Sequence, residues 1–220
     1  MSDPPVRAVL WDFGGVITSS PFEAFERFER ESGLPENFIR TVNTHNPDSN
    51  AWAAFERSDI STGEFSDRFE EESANLGHRV AGSRVLALLE GEVRENMVDA
   101  LRVVAQRYRT ACLTNNVRSG AGPAMNRDQG RALRVAEVMK IFEFVLESSR
   151  IGVRKPEPRF YEIACERLEI KPQEAVYLDD LGINLKPAKA MGMQTIKVSS
   201  PSQALAELEA ILGHSLDGPI

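Results

Sequence analysis

The chain has little cysteine, no long apolar run and no block of basic residues. Each absence removes a class of protein. Its two cysteines, Cys112 and Cys165, lie in apolar patterns without metal-ligand spacing. Buried reduced thiols and a cytoplasmic setting are therefore expected, not a disulfide scaffold. No stretch is long and apolar enough to span a bilayer, and residues 1–7 have no signal-peptide character. The formal charge is −7, and nothing in the chain matches the basic patch that tracks nucleic acid. An acidic chain that binds an anion must build a local positive site. No internal repeat, low-complexity segment or heptad seam is visible, so monomer and homodimer both stay open.

What is present suits a globule. The chain has 220 residues, 42% hydrophobic and 27% charged, enough for one sizeable domain or a core with a smaller companion. Residues 6–11 have the look of a short strand, which runs into VLWDFGGVITSS (9–20) and stops at Asp12. The pattern then turns helical. Phe22, Phe25 and Phe28 recur at helical spacing before Gly33. Residues 51–57 suggest a short helix, and Ser61-Thr62-Gly63-Glu64 is a capping box opening a helix to about Leu76, with Gly77 beyond it. No strand is expected between 21 and 82.

From residue 83 the chain alternates. Helices are expected at 94–107, 132–141, 157–168, 184–191 and 201–212, interleaved with strands at 110–114, 144–146, 175–178 and 195–198. SGAGPAMNRDQG (119–130) has the composition of a polar loop. Such alternation predicts an α/β fold, a parallel sheet flanked by helices. The core would comprise 1–20 and 83–220, with a small all-helical insertion at 21–82 after the first strand.

In such sheets ligands sit at the carboxyl ends of the strands, and those ends are polar here. The first delivers Asp12, the second Thr114, Asn115 and Asn116, and AVYL (175–178) is followed by Asp179 and Asp180. Lys155 sits in RKPEPRF, just before a helix. Phosphoryl transfer depends mainly on positioning and electrostatics, and this set offers both. Asp12 suits a covalent nucleophile. Asp12 and Asp180 suit a shared Mg2+ ion. The Thr114 hydroxyl, the Asn115 N–H and Lys155 suit phosphate oxygens, and Gly14–Gly15 lets backbone approach a ligand. Taken singly, each has a plain structural reading as a turn former, a cap or a solvated lysine. Their matching positions, in one order, argue for a site. The order also differs from that of receiver-type phospho-accepting domains, where the acidic pair comes first.

On these residues the chain resembles the haloacid dehalogenase-like (HAD) hydrolase superfamily. VLWDFGGVI, LTNN (113–116), Lys155 in RKPEP and YLDDLGIN (177–184) are similar to its four motifs, in order. Among subgroups the chain looks closest to the N-terminal phosphatase domain of soluble epoxide hydrolase and a related domain of some acyl-CoA dehydrogenase family proteins. The resemblance implies a Rossmann-like core with a helical cap at 21–82. It implies Asp12 as nucleophile and Mg2+ ligand, with the Gly14 carbonyl and Asp180 also on the metal. Asp179 and Asn184 would act from behind or through water, and Thr114, Asn115 and Lys155 would bind phosphate. The substrate implied is a small phosphorylated metabolite.

One departure matters. Phosphatases of this family usually carry a second aspartate two residues after the nucleophile, to protonate the leaving oxygen; here that place is Gly14. Loss of such help, typically worth roughly 10²–10⁴-fold, implies slow turnover, a need for good leaving groups, or a substitute in the cap. A haloacid dehalogenase is an alternative that needs no such acid. It also needs no cation, however, and the tyrosine usual after Phe13 is absent. A catalytically weak phosphate-binding regulator is the other alternative. In the insertion, Phe22, Phe25, Phe28, Trp52, Phe55 and Phe69 can line a pocket or form the insertion's own core. His45 and His78 are candidates for a substitute acid, against an ordinary helix-end role. Arg118, Arg150 and Arg154 flank the motif loops.

Overall fold

The computed structural model describes residues 5–57, 59–89, 91–116 and 129–216. Strand β1 (Ala8–Trp11) is followed by a tight turn over Phe13–Ile17, closed by the Thr18 N–H on the Phe13 carbonyl at 3.0 Å. Five helices come next: α1 (Pro21–Ser32), α2 (Phe38–Thr44), α3 (Ala51–Glu56), α4 (Thr62–Asn75) and α5 (Gly82–Ala87). The chain then alternates through α6 (Glu95–Ala105), β2 (Arg109–Thr114), α7 (Gln129–Met139), β3 (Phe144–Glu147), α8 (Ser148–Ile151), α9 (Pro158–Leu168), β4 (Ala175–Asp179), α10 (Gly182–Ala190), β5 (Gln194–Lys197) and α11 (Pro201–Leu212). The expected loop at 119–130 lies almost wholly outside the described residues, as does Arg118. Among the described residues no helix is long and apolar enough to cross a membrane.

The five strands form one parallel sheet in the order β3-β2-β1-β4-β5. Strand alternation points successive side chains to opposite faces. Val9 and Trp11 accordingly join α6, α7 and α11 in one apolar cluster, while Ala8 and Leu10 join α9 and α10 in another. All four are fully buried, which is why β1 reads as a continuous apolar run and not an alternating one. Cys112 and Cys165 are buried free thiols.

Helices α1–α5 surround a third apolar cluster, built from Phe25, Phe28, Phe55, Phe65 and Phe69 among others. Phe22 and Trp52 pack against it, half-buried. The aromatic residues of this stretch are thus mainly the unit's own core. The cluster continues through Val85, Leu86, Leu88 and Leu89. Local signals bound two of these helices as expected. Gly33 closes α1 at φ 65°, and Ser61 with Glu64 forms both bonds of the capping box on α4.

Candidate active site

The strand order sets the site. After β1 the chain steps outward to β2 and β3, then returns to the other side for β4 and β5. Beyond the strand ends, the crevice between β1 and β4 is the place where ligands bind in such sheets. Trp11 pairs with Leu178, and the Asp12 N–H continues the ladder to the Leu178 carbonyl at 2.8 Å. Asp12 and Asp179 are therefore level, with Asp180 one residue on. Each of the three offers a carboxylate oxygen within 4.8 Å of the others. Trp11 also pairs with Cys112, which sets Thr114 one step beyond Asp12 on the opposite side.

Lys155 enters this cluster from the loop before α9. Its Nζ donates to Asp12 Oδ1 at 2.8 Å and to Asp179 Oδ2 at 2.9 Å. Asn115 fixes the lysine's backbone from both sides. Asn115 Oδ1 accepts the Lys155 N–H at 2.9 Å, and its Nδ2 donates to the Lys155 carbonyl at 3.1 Å. The Asn115 side chain is thus committed to the loop, and only its backbone N–H is left for a ligand. Asn116 does not join the site. It binds Glu147, Ser148 and Ser149, bracing β2 against the start of α8.

Asp179 is saturated. It accepts from the Leu181 N–H at 2.8 Å, from Asn184 Nδ2 at 3.1 Å on both oxygens, from Lys155 and from the Tyr177 hydroxyl. Little lone-pair capacity remains for a metal, although the carboxylate lies within the acidic cluster. Asp12 is different. Its Oδ1 takes the Phe13 N–H at 2.7 Å and Lys155, which leaves Oδ2 open. Among the described residues, Asp180 Oδ2 accepts the Ser20 hydroxyl, at 3.1 Å.

Burial dominates the electrostatics. It pushes the Asp180 carboxyl up to about 6, with Asp179 adding to the shift. Burial also raises Asp12 well above its ordinary value against the pull of Lys155. For Lys155, burial favours the neutral amine, but the attraction of Asp12 and then Asp179 outweighs it and holds the pKa above the usual lysine value. When all three carboxylates are ionised, as a bound cation would favour, they face one ammonium, leaving two negative charges in excess.

The adjacent glycines differ. Gly15 has φ 78°, and a Cβ on it would lie 2.1 Å from Asp180 Oδ2, so only glycine fits. Gly14 has φ −69° and ψ 130°, open to any residue, and a Cβ there would meet nothing within 4 Å. Glycine at 14 is thus not imposed by the backbone.

Three contributors had weak or no sequence signal. Tyr177 lies two residues before Asp179, so strand alternation alone places both on one face. Ser20 and Arg94 gave no signal. Arg94 Nη1 donates to the Gly15 carbonyl at 2.6 Å, 79 positions away in sequence. His45 follows α2, and His78 packs edge-on against Phe38. Among the described residues neither bonds to the acidic cluster. Arg154 pairs with Glu56, and Arg150 with Glu147.

A family model described as haloacid dehalogenase-like hydrolase matches residues 6–192. The chain is 34% identical over 221 residues to acyl-CoA dehydrogenase family member 10 of Mus musculus, covering 96% of this chain and 19% of that one. It is 29% identical over 219 residues to bifunctional epoxide hydrolase 2 of the same organism, covering 94% of this chain and 39% of the relative. The chain thus spans less than half of either. A HAD family enzyme of Bacteroides thetaiotaomicron, solved with magnesium and inorganic phosphate, superposes with a TM-score of 0.57 at 21% identity, over 87% of this chain and 93% of that one.

Proposed function

This chain belongs to the haloacid dehalogenase-like hydrolase family, and on that premise we propose that it is a Mg2+-dependent phosphatase of small phosphorylated metabolites, working through a phosphoryl group carried on Asp12. The observation that carries this reading is the charge and donor inventory of the cluster. Two excess negative charges match one divalent cation, and the oxygens left open belong to Asp12 and Asp180. Hard oxygen donors of this kind suit Mg2+. The Gly14 carbonyl completes the set we assign to the metal, with Asp179 and Asn184 holding Lys155 and the loop from behind.

When bound, Mg2+ would cancel the excess charge and polarise the phosphoryl oxygens. Two of the three Lys155 ammonium hydrogens are spent on Asp12 and Asp179; the third is available to phosphate. The Thr114 hydroxyl and the Asn115 N–H hold the other oxygens. Asp12 Oδ2 attacks phosphorus, and the bond to the ester oxygen breaks, its electron pair leaving on that oxygen. With glycine at position 14, water supplies the proton, so esters with acidic leaving groups turn over fastest. Water then attacks the phosphorus, releasing inorganic phosphate and restoring the Asp12 carboxylate. We assign helices α1–α5, read as 21–82 from sequence, the role of a cap over these groups.

Thermal melting tests the metal assignment. Mg2+ at about 100 times its Kd is expected to stabilise the protein by about 2.7 kcal/mol. The Asp180→Asn variant, with less repulsion in the cluster, is expected to melt above the wild type without metal and not to respond to Mg2+. Equal Mg2+ responses in both proteins would remove Asp180 from the metal site. Hydrolysis of p-nitrophenyl phosphate tests the reaction itself. Turnover should require Mg2+, and its absence across a broad panel of phosphate esters would favour the binding-only alternative.

A further inference from the structure

Among the described residues, the α1–α5 unit and the sheet-bearing core share no apolar cluster. The unit's cluster draws only on residues 22–89, and the two core clusters draw on none of these. Parts joined this way move relative to one another by default. The chain crosses between them twice, side by side. Thr18 and Val93 form an antiparallel bridge, the Ser19 N–H meets the Glu92 carbonyl at 2.8 Å, and the Arg94 N–H meets the Ile17 carbonyl at 2.9 Å. The Arg94–Glu23 pair, at 3.4 Å, lies beside this crossing.

Away from the crossing, a side-chain tie joins the two parts. Glu56, the last residue of α3, pairs with Arg154. Their side chains are only 16% and 22% exposed. Burial raises the Glu56 pKa against the pull of Arg154. Arg154 immediately precedes Lys155, whose backbone is clamped by Asn115. The tie therefore lands next to the clamped backbone of the loop that carries the cluster's one lysine.

We propose that the Glu56–Arg154 pair is a latch: it holds the helical unit closed on the Lys155 loop, and its release swings the unit about the 18–20 and 91–94 crossing to open the acidic cluster. The pair suits this work. It is sheltered enough to hold its geometry, yet it is ionic, so either half can be solvated when the parts separate. An apolar seam would resist reopening. With the latch closed, Glu56 also neutralises Arg154 beside Lys155; when it opens, a second cation is exposed at the mouth.

Spin labels on cysteines placed at the exposed positions Asp67, on α4, and Lys189, on α10, read the distance between the two parts by pulsed electron resonance. The unmodified pair should give one narrow distribution. Glu56→Gln and Arg154→Met should each add a longer-distance population, raising the open fraction roughly 10-fold or more, the scale set by hydrogen bonds between charged groups. The charge swap Glu56→Arg with Arg154→Glu should return the narrow distribution. Distributions unchanged by either single variant, or single-variant broadening that the swap does not reverse, would overturn the latch. The readout needs no turnover, so it stands apart from the phosphatase reading.

Discussion

Replacing Gly14 with aspartate is expected to raise kcat for phosphate-ester hydrolysis by roughly 10²–10⁴-fold, the usual contribution of a positioned general acid. The backbone permits it, since φ −69° and ψ 130° suit any residue and an added Cβ meets nothing within 4 Å. The new carboxyl would stand two residues beyond Asp12, the nucleophile we propose. The gain should depend on the ester. It should be largest for alkyl phosphates, whose alkoxides leave poorly, and smallest for p-nitrophenyl phosphate, which needs little protonation. A uniform gain across leaving groups, or none, would mean that proton transfer does not limit this enzyme. Gly15 is the built-in control. Aspartate there would need φ 78° and would collide with Asp180, so Gly15→Asp should misfold or lose metal binding.

Lys155→Met should be strongly destabilising. It removes the one cation among three clustered carboxylates and leaves Asp12 and Asp179 buried without it. Breaking a buried ion pair from one side costs about 3–5 kcal/mol, which for a chain of this size lowers Tm by roughly 10 °C or more. Mg2+ should recover part of the loss, because it supplies positive charge to the same carboxylates. Paired melting curves with and without Mg2+ check both statements. A Tm within about 2 °C of wild type, less than a 1 kcal/mol effect produces, would show that Lys155 does not balance the cluster.

The parts of this fold legible in the sequence are those whose causes are local. β1 to β5 lie within one or two residues of the apolar runs that announce them. Ser61, Gly33 and the Ser200–Pro201 start of α11 carry their caps in adjacent residues. The expectations that failed had distant causes. Helix α2 was not foreseen because its first turn is capped from α1, where the buried Glu29 carboxylate accepts the Asn37 and Ile39 N–H groups at 2.8 Å. Helix α5 was missed because Gly82 looks like a terminator. In the fold it opens the helix, where a Cβ would come within 2.6 Å of the Ser66 backbone. Helix α7 starts at Gln129, earlier than its apolar residues suggest.

The same division holds in the site. Asp12, Asp179, Asp180 and Lys155 could be read because strand ends in a parallel sheet converge by topology. The saturation of Asp179, the Ser20–Asp180 contact and the Glu56–Arg154 pair could not. They join residues 98 to 160 positions apart in the two contacts from the helical side. Gly14 and Gly15, alike on paper, separate only when Asp180 is seen against one and open space beside the other.

The central claim is that Asp12 carries the phosphoryl group. Rapid acid quenching of the enzyme turning over p-nitrophenyl phosphate with Mg2+, followed by peptide mass spectrometry, tests it directly. One added phosphoryl group is expected on the peptide containing Asp12. The label should vanish in Asp12→Asn, together with turnover, a loss on the order of 10⁴-fold or more, as when a covalent nucleophile is deleted. Turnover that persists in Asp12→Asn, or a phosphoryl group trapped on another residue, would contradict it.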